Sequence, residues 1–226
     1  MKILIIEDEK EIAESISHYL SNEKYICEKA GSFMEASEKI EIYDYDCLIV
    51  DIILPDGNGL DIIKNLKKNK PSTGIIVVSA RNSLNDKIIG LDLGADDYLT
   101  KPFHLSELNS RLKSVIRRRS FEGKNELLFD KLRIVPDDNL VYVNNNALVL
   151  TKKEYDLILF LVTNKNRVVT KESIAEHLWG DDIDLVDSYD FLYNHIKNLR
   201  KKIIDAGGDD YIETIYKMGY RFGLKN

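Results

Sequence analysis

Glu7, Asp8, Asp51, Ser79 and Lys101 are the residues whose types and placement could do chemistry together. Each follows or ends a short apolar run: "KILII" (2–6), "CLIVD" (47–51), "GIIVVSA" (74–80) and "DDYLTKP" (96–102). An aspartate at the mouth of a hydrophobic strand is costly to desolvate unless something pairs with it. Three carboxylates at one place repel, so either a proton is retained or a cation sits among them. A hard divalent ion takes one or two carboxylates, a backbone carbonyl and waters. One carboxylate is then free to act as a nucleophile. A lysine and a hydroxyl on the same edge suit a phosphoryl group, the ammonium neutralising its oxygens and the hydroxyl bonding one of them. The competing expectation is a solvated, inert acidic surface.

These residues meet only if their strands lie side by side. The apolar runs are continuous, as in strands buried on both faces. Between them, "EIAESISHYLS" (11–21) has apolar residues at helical spacing, and helices are expected over 33–42, 59–69, 83–93 and 104–119. Ser32 and Glu35 read as a capping box for the second. "ICEKA" (26–30) supplies one more strand. Fivefold strand–helix alternation means βαβ units and a parallel sheet covered on both sides. In such a sheet, sites form at the carboxyl ends of the strands.

The pattern changes after "IRRRSFEGKNE" (116–126). The expected organisation is one domain over 1–119, a linker over 120–126 and a second domain over 127–226. The second opens with β-like runs at 132–135, 140–143 and 147–150, separated by turn-forming "PDDN" and "NNN". Three helices follow. The first is capped by Thr151 and Glu154, the second covers about 170–178, and the third about 188–205. A terminal hairpin turns near Lys217–Gly219. The third helix puts Leu192, Ile196, Leu199 and Ile203 on one stripe. Asn194, Lys197, Asn198 and Lys201 lie opposite, flanked by His195 and Arg200. Asparagine bonds adenine edges and lysine or arginine holds phosphates, so with Lys217 and Arg221 of the hairpin this reads as a DNA-binding surface.

Composition is consistent with this. The 226 residues are 44% hydrophobic and 31% charged, which is globular, and the net charge of -6 means that nucleic-acid binding must come from a local basic stripe. Cys27 and Cys47 form neither a disulfide framework nor a zinc motif. No apolar run approaches roughly 18 residues, so a cytoplasmic protein without a membrane partner is expected.

The first half resembles the receiver domain of two-component response regulators. Glu7–Asp8, Asp51, "LPDGNG", Ser79–Ala80 and "GADDYLTKPF" carry the likeness. The resemblance implies a doubly wound five-stranded parallel sheet of order 2-1-3-4-5 in an α/β fold. It implies phosphorylation of Asp51 by a sensor histidine kinase. Mg2+ would be held by Glu7, Asp8, Asp51 and the Ile53 carbonyl. Lys101 would contact the phosphoryl group, Ser79 and Tyr98 would be the switch pair, and Lys101–Pro102 would be cis. The second half resembles the winged helix-turn-helix domain of the OmpR/PhoB subfamily in "LTKKEYDLILFL", "RVVTKESIAEHLWG", "HIKNLRKKI" and "GYRF". This implies dimers on promoter DNA, with Lys87–Glu107, Asp97–Arg111 and Asp96–Arg118 paired across a two-fold. It also implies that the acidic loop 180–190 faces RNA polymerase, and that the chain is no enzyme beyond promoting its own slow dephosphorylation. The wing departs from the family, with Tyr216 where an arginine is common. Two other readings stand beside this one: a phosphorylation-independent DNA-binding regulator, and an aspartyl-phosphate phosphatase. The phosphatase would need a second aspartate where Ile53 stands.

Overall fold

A computed structural model describes residues 1–81, 83–120, 123–180 and 189–224. The chain divides into two compact units, Met1–Gly123 and Lys124–Asn226.

In the first unit, strands β1 (Lys2–Ile6), β2 (Ile26–Ala30), β3 (Cys47–Asp51), β4 (Gly74–Ser79) and β5 (Asp97–Thr100) form a sheet of order β2-β1-β3-β4-β5. All neighbours are parallel. The sheet alternates with α1 (Lys10–Asn22), α2 (Phe33–Ile42), α3 (Gly59–Asn69), α4 (Leu84–Asp92) and α5 (Leu105–Ser120). β1, β3 and β4 are buried along their whole length, which explains their unbroken apolar runs. Leu4, Ile6, Leu48, Val50, Ile75 and Val77 face one core with Ala36, Ile62, Ile63 and Leu66 of α2 and α3. Lys2, at the start of β1, is wholly buried and paired with Glu28 of β2 at 2.8 Å.

Register sets the site. Ile6 of β1 lies beside Val50 of β3, so Glu7 and Asp51 leave the sheet as neighbours. Asp51 pairs with Val78, and Ser79 with Thr100. After β3 the chain makes a two-residue hairpin, Ile53–Leu54 with Gly57–Asn58, before Asn58 caps α3 by accepting from the Leu60 N–H at 2.9 Å. Asp56 fixes this loop to the start of α2, accepting from Phe33 N at 2.6 Å and Met34 N at 3.0 Å. Ser32 does cap α2, but Glu35 reaches back to the Gly31 N–H rather than to Ser32, so the box is only half formed.

The second unit begins with an antiparallel sheet of β6 (Leu127–Phe129), β7 (Leu132–Val135), β8 (Leu140–Val143) and β9 (Asn146–Ala147). Helices α6 (Lys152–Thr163), α7 (Lys171–Trp179) and α8 (Asp190–Asp205) follow. Thr151 and Glu154 form a complete capping box on α6. A second sheet joins β10 (Val168–Thr170), β11 (Ile212–Ile215) and β12 (Gly219–Phe222), with β12 central. The expected strand 147–150 is reduced to its first residue. β6 and β10 are additional, and the terminal hairpin is therefore part of a three-stranded sheet.

Gly59 lets α3 start directly under Asp51: a Cβ there would lie 2.0 Å from the Asp51 carbonyl oxygen. Backbone would have to shift to admit it. Gly59→Ala is expected to cost about 1–3 kcal/mol in urea unfolding with an unchanged m-value; wild-type stability would show that the α3 start is not pinned.

Candidate phosphoryl-transfer site and nucleic-acid face

The expected acid pocket is assembled. Lys101 Nζ donates to Asp51 Oδ2 at 2.7 Å and to Glu7 Oε1 at 2.8 Å. Glu9, which sequence reasoning did not single out, approaches the same ammonium at 3.5 Å. Glu7, Asp8 and Asp51 each offer a carboxylate oxygen within 4.8 Å of the others. Glu7 and Asp51 are buried, whereas Asp8 is exposed. Lys101 thus bridges the two buried acids, offsetting one of their charges, and leaves Asp8 at the open side. All the donors are hard oxygens, a set that fits a small divalent ion rather than a soft one. Asp51 Oδ1 accepts from the Ile53 N–H at 3.0 Å, which fixes the carboxylate's plane and the start of the following loop.

The electrostatics follow from burial. Desolvation raises the Glu7 carboxyl above its ordinary range; Lys101 opposes the rise and the Asp51 charge adds to it. Burial likewise opposes the charge on Lys101, but hydrogen bonds to Asp51 and Glu7 outweigh it and hold the ammonium above the usual lysine range.

Ser79 is buried at the end of β4, and its hydroxyl accepts from the Arg81 N–H at 3.2 Å. The backbone N–H of Lys101 donates to the Ser79 carbonyl at 2.9 Å. Tyr98 is half-buried on β5 and donates its hydroxyl to the Arg81 carbonyl at 2.8 Å. Ser79 and Tyr98 are therefore joined through Arg81. Lys101–Pro102 is cis.

The charged α4–β5–α5 face is already paired within one chain. Arg111 Nη1 holds Asp97 at 2.9 Å, and its Nη2 holds Glu107 at 2.8 Å. Asp96 turns inward to Arg119 at 2.6 Å and Lys67 at 3.4 Å, and also accepts from the Ile75 N–H. Among the described residues, Arg118 reaches the Asp96 backbone carbonyl and Ser114 rather than the Asp96 carboxylate. Lys87 is half-buried on α4. Leu84, Ile88, Ile89 and Leu91 are exposed on the same helix.

On α8, Leu192, Ile196, Leu199 and Ile203 are buried, and Asn194, Lys197, Asn198 and Lys201 are exposed. His195 is half-buried against Trp179 at 5.6 Å, and Trp179 packs on Phe191 at 4.5 Å. Trp179 therefore joins α7 to α8. Arg200 is turned away from the exposed row: it pairs with Asp210 at 2.8 Å and donates to the Ile212 carbonyl. Arg221 is held by Glu213 across the hairpin, with Nε at 3.0 Å. Lys217 sits at the hairpin turn. Sequence reasoning missed Tyr193, which is exposed on α8 under the Lys171 ammonium at 4.9 Å. Its spacing of four residues from Lys197 and eight from Lys201 was the available signal. Most of the acidic loop 180–190 lies outside the described residues.

Comparison with known proteins agrees with the geometry. Residues 3–113 match the response regulator receiver domain, and residues 145–222 match the C-terminal domain of transcriptional regulatory proteins. The chain is 37% identical over 218 residues to the response regulator ArlR of Staphylococcus haemolyticus (strain JCSC1435), covering 96% of this chain and 97% of the relative. It is 36% identical over 222 residues to the transcriptional regulatory protein PmrA of Pectobacterium parmentieri, covering 97% and 96%. Among solved structures, a CheY-like response regulator receiver domain protein from Methanospirillum hungatei JF-1 aligns with a TM-score of 0.52 at 31% identity, over 54% of this chain and 98% of that one.

The Glu7 shift gives a pH test. A carboxyl whose folded pKa is raised adds stability below its unfolded value and loses it as pH rises through the folded value. In metal-free buffer, Glu7→Gln is expected to be more stable than wild type at neutral pH, with the gain vanishing below about pH 4. A gain that persists in acid would mean that the effect is not electrostatic.

Proposed function

The chain belongs to the transcriptional response regulators of the OmpR/PhoB type, and from that premise we propose that a sensor histidine kinase phosphorylates Asp51 and that phosphorylated copies pair on promoter DNA. One observation carries the reading: Lys101 holds Asp51 and Glu7 at 2.7 and 2.8 Å, with Asp8 completing the acidic cluster.

An Asp51 carboxylate oxygen forms the new bond to phosphorus as the donor's bond to phosphorus breaks, leaving an acyl phosphate. Glu7, Asp8, Asp51 and the Ile53 carbonyl would hold Mg2+, which when bound neutralises phosphoryl oxygens. Lys101 passes from the Asp51 carboxylate to a phosphoryl oxygen. The new group adds about -1.5 to -2 charge and three acceptor oxygens. Ser79 then has a stronger partner than the Arg81 N–H, and the Arg81 carbonyl that Tyr98 holds shifts with it. Tyr98 lies in the α4–β5–α5 face, so the change reaches the surface proposed for dimerisation. Slow loss of the phosphoryl group to water belongs to the same site.

The dimer rests on Lys87 with Glu107 and Arg111 with Asp97 of the second copy. In a single chain Arg111 already holds both acids, so pairing exchanges contacts of similar strength. Net affinity then comes from burying Leu84, Ile88 and Leu91. The third pair, Asp96 with Arg118, requires Asp96 to leave Lys67 and Arg119.

On DNA, Asn194 and Asn198 would read base edges, Lys197 and Lys201 would hold phosphates, and the loop 180–190 would meet RNA polymerase. No described helix is long and apolar enough to cross a membrane, and a cytoplasmic place of action suits promoter binding.

Two measurements test this. With Mg2+ and beryllofluoride, wild type is expected to sediment as a dimer and Asp51→Ala as a monomer; equal behaviour of the two overturns the switch. On a DNA site recovered from a random pool, Lys197→Ala should weaken binding across sequences and lower the salt slope by about 1. An unchanged slope would take Lys197 off the phosphates.

A further inference from the structure

The end of the first sheet away from the acid pocket holds a buried charge that the phosphoryl site does not use. Lys2 opens β1 and is wholly buried, with its ammonium 2.8 Å from Glu28 of β2. The rings of Tyr43 and Tyr45 flank that ammonium at 4.6 and 4.7 Å, and the Tyr45 hydroxyl donates to the other Glu28 oxygen. The Lys2 backbone is tied as well. Its N–H donates to Asp46 Oδ2 at 2.6 Å, and its carbonyl accepts from the Asp46 N–H at 2.9 Å. Lys2 therefore fastens β1 to β2 on one side and to the approach to β3 on the other.

Stability alone does not account for such a pair. Desolvation of two charges offsets most of their attraction, so apolar side chains of the same volume would hold the strands at least as well. A buried ion pair does something that apolar packing does not: it fits in one register only.

β1 needs such a key. Ile3, Leu4, Ile5 and Ile6 are all fully buried and all aliphatic, because the sheet is covered on both faces. In a strand with one wet face, a slip of one residue drives polar groups into the core. Here a slip exchanges one aliphatic side chain for another. The run itself says little about its register, and the polar residues at its two ends decide it.

The consequence lies at the far end of the strand. A slip of one residue moves Glu7 and Asp8 by about 3.3 Å. Glu7, Asp8 and Asp51 offer oxygens within 4.8 Å of one another, and Lys101 reaches Glu7 at 2.8 Å. Neither arrangement survives a displacement of that size. We propose that Lys2 is a positioning residue for the phosphoryl site: its pair with Glu28 selects the register of β1 that sets Glu7 and Asp8 beside Asp51. The consequence for phosphoryl transfer rests on the reading of Asp51 as the phosphate acceptor. The register role stands on the strand contacts alone.

The test uses the full chain carrying Lys2→Met/Glu28→Met, which removes both charges and leaves neither without its partner. Its melting temperature is expected to equal or exceed that of wild type. Its β1 amides should give more than one set of NMR signals, whereas wild type gives one set with cross-strand contacts of Ile3 to Cys27 and Ile6 to Val50. The midpoint of a Mg2+ titration followed on the same amides should rise about tenfold or more. A single signal set in the wild-type register, or an unchanged Mg2+ midpoint, overturns the proposal. So does failure of the double variant to fold, which would make the pair a source of stability. If wild type gives no Mg2+ response while the double variant still shows mixed registers, Lys2 keeps the register role and the phosphoryl reading fails.

Discussion

The ammonium of Lys101 between Glu7 and Asp51 is the interaction on which the first unit's chemistry depends. Burial of β1 and β3 forces the chain to deliver acids to one sheet edge, because Ile6 and Val50 are in register and the next residues are Glu7 and Asp51. Two buried carboxylates this close repel. The compensating cation comes from the far edge of the sheet, at the end of β5. The ion pair therefore also ties an outer strand to the centre. The same backbone position donates to the Ser79 carbonyl, so the neutralising residue and Ser79 are joined through the backbone. Any group that draws Lys101 off Asp51 acts on the β4 and β5 ends at once.

The outer face of that edge follows a different rule. Arg111, Asp97 and Glu107 satisfy one another at the surface, where each pair contributes little. Asp96 is the exception, since its side chain is only 8% exposed and it joins Lys67, Arg119 and the β4 backbone. Two adjacent aspartates thus do different work. Asp96 holds the fold, and Asp97 stays at the surface in its pair with Arg111.

Much of this was legible in the sequence. Continuous apolar runs ending in Asp51 and Ser79 fix both the parallel sheet and the edge where the site forms. The Thr151–Glu154 box places α6 to the residue. What the sequence hides is pairing between distant segments. β10 is three residues long and exists because β12 needs a neighbour, which no local pattern records. Asp96 and Asp97 look alike in "GADDY", and only tertiary packing turns one inward. The Ser32 cap is visible, but the turn at Gly31 captures Glu35 and leaves the box half made. Arg200 reads as a flanking DNA contact by helical spacing alone; Asp210, beyond the end of α8, decides otherwise.

The fate of Arg200 bears on how α8 would discriminate sequences. The helix's cations divide into two sets. Arg200 and Lys202 hold the domain together through Asp210 and Glu154. Lys197 and Lys201 form no ion pair among the described residues. Arginine's planar fork suits bidentate contact to guanine, whereas lysine acts as a point charge. With the arginine committed to the fold, direct reading on this face would fall to Asn194 and Asn198, whose amides match adenine. The lysines would add affinity without much selectivity. A surface so divided would favour A·T-containing sites.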